Sequence, residues 1–379
     1  MNTHYRTPLV WVDTNQKLMD MIGDLKNHQS IGVDTESDSL YVYKEKVCLI
    51  QISTPDRDYL IDPLNINDLS PLNEIFKQPN IEKIFHAAEY DIICLKRDYN
   101  FEINNIFDTM IASRILGKKA IGLSALLETY FQIKVNKKFQ RANWGIRPLS
   151  DEMLDYARQD SHYLIQLRGI LEKELKTHNK SEIAKEDFHR MSLVEPNTNE
   201  KSDDHCWKIL KGNHISLQQT ALLCDLYYYR ENLAEKLNRP PFKVFGNQII
   251  QKIIEEEPTT LDELKSIQGI SPKIINKYGR DILEIVETAK TKKPVYKKFK
   301  PKPSSTFLRY YDILKRWRKE TGDRLNVESD IILPKDILES ISQTQPNNLE
   351  ELKKVMQEVP YRYSQFGEEI LNVLKPMED

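Results

Sequence analysis

The 379-residue chain is poor in cysteine, with only Cys48, Cys94, Cys206 and Cys224, widely spaced and without a CxxC pair. That spacing argues against a disulfide framework or a zinc site, and free thiols fit a reducing cytoplasm. No apolar run approaches the roughly 20 residues that span a bilayer. Met1 to Val12 lack an apolar h-region, so neither a membrane segment nor a secretory signal is expected. There is no GxxxxGKS or GxxxxGKT loop, which excludes a fused P-loop helicase within the chain. Excess charge is also missing. A formal net charge of −2 rules out a globally basic coat for nucleic acid.

What is present describes a globular protein: 40% hydrophobic and 30% charged residues, at a length that suggests about two or three domains. Two local basic clusters stand out, Lys134, Lys137, Lys138, Arg141 and Arg147, then Lys292, Lys293, Lys297, Lys298, Lys300 and Lys302. Such patches can track a phosphate backbone, although a solvated loop and linker is the plainer reading of lysine runs alone.

Strand-like segments at Ile31–Glu36, Val47–Ser53, Asp58–Ile61 and Ile81–Phe85 alternate with helical patterns. The helices are expected at Asn15–Lys26, Ala87–Arg97, Thr109–Leu116, Leu123–Tyr130 and Asp151–Lys176. This alternation predicts an α/β domain over residues 1–195, a mixed sheet flanked by helices. Beyond a polar stretch, Pro196 to His205, the pattern becomes all-helical. It contains an ungapped repeat: Arg318 follows Arg230 by 88 positions, and at that offset Leu237-Asn238 meets Leu325-Asn326, Pro258 meets Pro346, and Gly279 meets Gly367. Two small all-α bundles are therefore expected, at 206–291 and 306–379, joined by a basic Pro/Lys linker at 292–305.

The chemistry is carried by acids placed where a core should be. Alternation along Ile31–Glu36 puts Asp34 and Glu36 on one strand face, where two carboxylates repel unless a cation lies between them. A bare DxE is by itself better read as a solvent-facing strand edge. The helix Asp151–Lys176 changes that reading. Its apolar stripe runs Met153, Ala157, Leu164, Leu167, Leu171, and Asp160 occupies a slot in it with Tyr156 one turn earlier. No lysine or arginine on that face can neutralise Asp160, and Arg158 points elsewhere. Asp91, just inside a further helix, is by itself a dipole or capping acid, and Asp108-Thr109 reads as a helix start. Taken together, Asp34, Glu36, Asp91 and Asp160 are hard oxygen donors suited to Mg²⁺ or Mn²⁺, and four acids can hold two such ions for attack on a phosphodiester.

At this point the segments Val33-Asp34-Thr35-Glu36, His86-Ala87-Ala88-Glu89-Tyr90-Asp91 and Tyr156-Ala157-Arg158-Gln159-Asp160 resemble, in order and spacing, the three motifs of ribonuclease D and related DEDDy exoribonucleases. Val47–Ile52 and Arg141–Leu149 also look familiar, and the resemblance covers about Trp11 to Leu175. The tail repeats resemble the helicase-and-RNase-D C-terminal (HRDC) domain, the second departing from it with Gln357 where the first has Gly269. The resemblance implies a ribonuclease H-like catalytic fold and release of nucleoside 5′-monophosphates from RNA 3′ ends. It implies two ions on Asp34, Glu36, Asp91 and Asp160, with Tyr156 orienting the attacking water rather than serving as general base. Transfer-RNA 3′ maturation is the family expectation, and a cytoplasmic monomer is expected. Substrate contact is expected from Lys138, Arg141 and Trp144, where cations and aromatics interleave, and from His86. Core anchoring of Trp144 and Phe139, and a satisfied strand-end His86, remain open alternatives. Two competitors stand: a DNA-directed 3′→5′ exonuclease, and a nucleic-acid-binding scaffold with a silent site.

Overall fold

A computed structural model describes residues 7–196, 205–210, 215–297 and 301–375. Most of the stretch Pro196–His205, and residues 298–300 of the linker, lie outside the described residues. The chain forms two compact units. One comprises residues 1–37, 47–196 and 302–379, the other residues 38–46 and 197–301.

In the first unit the strands β1 (Leu9–Val12), β2 (Ser30–Ser37), β3 (Val47–Ser53), β4 (Asp58–Ile61), β5 (Glu82–Phe85) and β6 (Ile106–Asp108) form one sheet in the order β1-β4-β3-β2-β5-β6. It is mixed: β3 is antiparallel to β2 and β4, while β1–β4, β2–β5 and β5–β6 are parallel. The alternation expected in β2 is present. Ile31 and Val33 are sealed in a core with Leu18 and Ile22 of α1 (Asn15–Leu25), Phe76 of α2 (Ser70–Phe76) and Ile92 of α3 (Glu89–Tyr99). The opposite face receives α4 (Thr109–Ile115), α5 (Leu123–Phe131), α6 (Asp151–His162) and α7 (Leu164–Thr177), whose Leu164 and Leu167 pack with Ile84. The helix α8 (Ser181–Ser192) adds Ile183 and Phe188 to this second layer.

Three expectations need correction. The helix foreseen at Asp151–Lys176 is two, broken at Tyr163, yet the stripe Met153, Ala157, Leu164, Leu167, Leu171 stays buried across the break. The strands β1 and β6, at four and three residues, are too short for periodicity to reveal them. Finally, the cysteines are not all free. Cys206 and Cys224 form a disulfide, because the 3₁₀ turn His205–Ile209 packs on α9 (Gln219–Lys236) and brings the two Cα atoms to 5.0 Å. Cys48 and Cys94 are buried outside that bridge. The thiol argument for a reducing compartment therefore falls.

The repeat is real down to single hydrogen bonds. The first copy is α9, α10 (Pro241–Val244), α11 (Asn247–Glu256), α12 (Leu261–Ser266) and α13 (Pro272–Ala289). The second is α14 (Ser305–Leu325), α15 (Ser329–Ile332), α16 (Lys335–Thr344), α17 (Leu349–Val355) and α18 (Pro360–Leu374). Buried Arg230 donates to the carbonyl of Phe245 at 3.3 Å, and Arg318 to that of Leu333 at 2.9 Å. Tyr229 donates to Asp281 where Trp317 donates to Glu369. Asn238 and Asn326 both adopt positive φ, ending α9 and α14 in the left-handed conformation that asparagine tolerates. The copies differ in their surroundings. The first shares its unit with the excursion Asp38–Lys46, where Tyr43 donates its hydroxyl to Glu231 and Lys243 lies 4.1 Å over the Tyr41 ring. The second packs in the same unit as the sheet, on α4 and α8.

Candidate active site

The site is assembled by a strand, two helices and one glycine. Asp34 and Glu36 project from the same face of β2, and α6 crosses that face. A Cβ on Gly32 would lie 2.5 Å from the carbonyl oxygen of Ser161, so only glycine lets α6 approach so closely. That approach brings Asp160 to the strand: carboxylate oxygens of Asp34, Glu36 and Asp160 lie within 4.8 Å of one another. Asp91, on the first turn of α3, accepts a hydrogen bond from Thr35 Oγ1, the residue between the two strand acids.

Among the described residues no cation offsets these charges, and the carboxyls respond. Burial, then Asp91, Asp160 and Glu36, push Asp34 well above the usual carboxylate range. Burial followed by Asp160 and Asp91 does the same to Glu36. Asp91 rises to about 7 mainly through burial, against the Thr35 hydrogen bond that lowers it, and Asp160 rises to about 7 through burial and then Asp91. A cluster that suppresses its own ionisation is incomplete without positive charge. All the donors are oxygens, which fits Mg²⁺ or Mn²⁺ and not a thiolate- or imidazole-seeking ion.

Tyr156 lies one turn before Asp160, half-buried between Phe139 and Trp144 at ring-centroid distances of 6.0 and 6.1 Å. Burial, then Asp160, Glu36 and Asp34, hold its hydroxyl protonated far above neutrality. It is a hydrogen-bonding group, not a base. Beside it opens a cavity of about 620 Å³ lined by Lys134, Lys138, Phe139, Glu152 and Tyr163 among others. This volume adjoins the acids without containing them.

Of the expected substrate contacts, Lys138 lines this cavity and pairs with Glu152 at 2.6 Å, and Arg141 is exposed on the same loop. Trp144 is corrected: at 1% exposure it belongs to the core with Leu49, Leu60 and Ala157, and supports Tyr156 from beneath. Its loop is pinned by Arg147, which binds both oxygens of buried Asp62 and the carbonyls of Cys48, Trp144 and Ile146. His86 is satisfied by the protein. Thr109 Oγ1 donates to the Phe85 carbonyl, so it accepts from His86 Nδ1–H and leaves Nε2 as the acceptor. Burial lowers the His86 pKa, keeping the ring neutral.

Asp108 does more than start a helix. Asp108 does cap α4 through Met110 and Ile111, and it also accepts from the backbone N–H of Ala87 and Ala88. Ala87 sits at φ 63°, a left-handed turn that is costly for alanine and delivers the chain into α3. Asp108 thereby holds the turn that aims Asp91. The sequence showed an acid before a helix and nothing of its second pair of bonds.

Comparison with known proteins agrees with this anatomy. Residues 9–176 match the 3′-5′ exonuclease family, and 219–286 and 307–374 each match the HRDC domain. The chain therefore carries a 3′-5′ exonuclease domain followed by two HRDC domains, an arrangement consistent with the ribonuclease D type. Among its relatives is the exosome complex exonuclease RRP6 of Saccharomyces cerevisiae, 37% identical over 66% of this chain and 36% of that one. The exosome complex component 10 homolog of Caenorhabditis elegans is 29% identical over 75% and 33%. The chain thus spans about a third of the length of these curated relatives. The crystal structure of the RRP6 catalytic core from Trypanosoma brucei matches at TM-score 0.67 and 29% identity, over 75% of this chain and 81% of that one. Escherichia coli RNase D shares the fold at TM-score 0.69 and 22% identity, over 97% and 98%.

Proposed function

We propose that this protein is a 3′→5′ exoribonuclease that hydrolyses the terminal phosphodiester of single-stranded RNA and releases nucleoside 5′-monophosphates. The observation that carries the reading is the convergence of Asp34, Glu36 and Asp160 within 4.8 Å beside Tyr156, with no compensating cation among the described residues. Asp34, Glu36, Asp91 and Asp160 would hold two divalent cations, Mg²⁺ or Mn²⁺. Bound there, the cations supply charge for the phosphate and the leaving oxygen, and a more acidic attacking water. The chain's own residues do the rest. Tyr156, protonated throughout the working pH range, orients that water through its hydroxyl. Trp144 and the Arg147–Asp62 anchor fix the ring, and Lys138 and Arg141 attract the phosphate backbone toward the adjoining cavity.

RNA is favoured over DNA by the domain order, shared with RNase D, a protein described as an exoribonuclease involved in structured RNA processing. Transfer-RNA precursors with 3′ extensions are the proposed substrates, acted on by a monomer. The test is a 5′-labelled RNA incubated with Mg²⁺, with Mn²⁺ and with EDTA, beside its DNA counterpart and a 3′-extended transfer RNA. A ladder shortening from the 3′ end, lost with EDTA and in Asp160→Asn, is the expected result. Intact RNA in every lane, on folded protein that still binds it, replaces the enzyme reading with the scaffold.

A further inference from the structure

The two HRDC copies have the same backbone but opposite surfaces at one face. In the second copy that face is buried against α4 and α8. Ile331, with Val327 and Tyr361, joins the apolar cluster of Ile183, Phe188 and Met191 from α8. Around it, Arg114 binds Glu328 and Asp330, Arg190 binds Asp336 and Glu358, and Arg362 binds Glu186 and Asp187. Arg362 is fully buried, and Glu186 also accepts from the Tyr361 backbone N–H at 2.7 Å. The structure thus displays what this face takes in the second copy: an amphipathic helix.

The 88-residue offset gives the same positions in the first copy. Val327, Ile331 and Tyr361 become Arg239, Lys243 and Lys273. Glu328, Asp330, Asp336 and Glu358 become Pro240, Phe242, Gln248 and Ile270, and Arg362 becomes Ile274. Every acid that grips an arginine in the second copy has gone, and three cations have arrived. Of these, Arg239, Phe242, Lys243, Lys273 and Ile274 line an open groove of about 420 Å³ with Leu237, Ile249, Lys277 and Tyr278. Phe242 is 55% exposed and Leu237 44%, and they sit among cations for which no ion pair is found among the described residues. Lys243 lies over the Tyr41 ring.

We propose that this face of the first copy, built by Leu237, Arg239, Phe242, Lys243, Lys273 and Ile274, is a docking site for an acidic amphipathic helix of a partner protein. Leu237, Phe242, Ile249 and Ile274 offer the apolar seat that Ile331, Val327 and Tyr361 offer in the second copy. The cations select glutamates and aspartates flanking the partner's stripe and reject the arginines that the second copy requires. A helix is favoured over single-stranded RNA by the aliphatic floor. Bases stack on aromatic faces, and only Phe242 presents one openly here.

The probe is a fluorescein-labelled, hydrocarbon-stapled peptide of the α8 sequence carrying Lys185→Glu and Arg190→Glu, so that its stripe is kept and its charge made acidic. It is titrated against the full chain by anisotropy, beside the unaltered α8 peptide and a labelled oligouridylate. Saturable binding is expected for the acidic peptide, stronger than for the unaltered one. Phe242→Asp and the double variant Lys243→Glu/Lys273→Glu should each weaken it by about tenfold or more. These positions are exposed and outside the catalytic machinery, so thermal melts and RNA hydrolysis by the variants should match the parent. The proposal is overturned if the acidic peptide fails to saturate up to about 1 mM or binds the variants equally well. It is likewise overturned if the oligouridylate alone loses affinity in the variants, which assigns the face to RNA. The exonuclease reading is untouched by any of these outcomes.

Discussion

Two ionisable clusters, one half-buried and one buried, lie on either side of one turn of α6, and their chemistry is opposite. Asp160 faces Asp34, Glu36 and Asp91 with no cation among the described residues, and its carboxyl is pushed up to about 7. Arg158 and His162, two residues to either side, both reach Asp58 on β4, at 2.7 and 3.0 Å, with Thr7 donating as well. Burial raises the Asp58 pKa, but the hydrogen bonds from His162, Thr7 and Ser53 outweigh it and leave that carboxyl below its ordinary value. One helix therefore carries a satisfied cluster that fixes its position and an unsatisfied one that its position creates. A buried acid indicates function only after its partners have been counted.

Breaking the unsatisfied side should have the largest effect. Asp160→Asn is expected to lower RNA hydrolysis by about a thousandfold or more, since a ligand to the catalytic charge is worth several kcal/mol. In EDTA at pH 8 the same variant should melt at or above the parent temperature, because it removes repulsion. A lower melting temperature there would contradict the account of the cluster. Asp58→Ala attacks the satisfied side and strands Arg158 in the interior. Chemical denaturation should show a loss of about 3–5 kcal/mol, with the metal dependence of whatever activity remains unchanged.

The clusters also separate by pH. Asp91 and Asp160 titrate near 7 in the folded chain and near about 3.9 when unfolded. The stability this gives is full below the unfolded value and is lost as pH rises through 7. Melting temperature in EDTA should therefore fall between pH 5 and pH 8, and millimolar Mg²⁺ should flatten the slope. A flat profile without metal would mean the acids are not coupled. Asp58, shifted downward, acts in the other direction: its contribution is full above the unfolded value and is lost only as pH falls through the acid range. The smallest effect tests the corrected cysteines: thiol titration in denaturant without reductant should find two reactive groups, not four.

How much of this was legible in the sequence follows from length scale. The alternation in β2 and the stripe of α6 are local patterns, and they located Asp34, Glu36 and Asp160. The 88-residue repeat needed only self-comparison, and it paired Arg230 with Arg318, whose hydrogen bonds the structure shows to be equivalent. Contacts made across long loops left no pattern. Nothing near Asp108 announced that Ala87 and Ala88, about 20 positions earlier, would need its oxygens. Trp144 was ambiguous because an aromatic among cations suits RNA and core alike until burial decides. Cys206 and Cys224 were misread because spacing along the chain says little about a helix folding back.

The excursion Asp38–Lys46 has a consequence for modularity. It begins two residues after Glu36, yet it is folded into the body of the first HRDC copy, where Tyr43, Lys44 and Tyr41 meet Glu231, Glu235 and Lys243. That copy is therefore a discontinuous module. Cutting the gene between residues 196 and 205 would not separate two cassettes, because one half would keep a piece of the other's surface. An exchange of HRDC domains among nucleases of this type would have to carry the nine-residue insert along with the bundle.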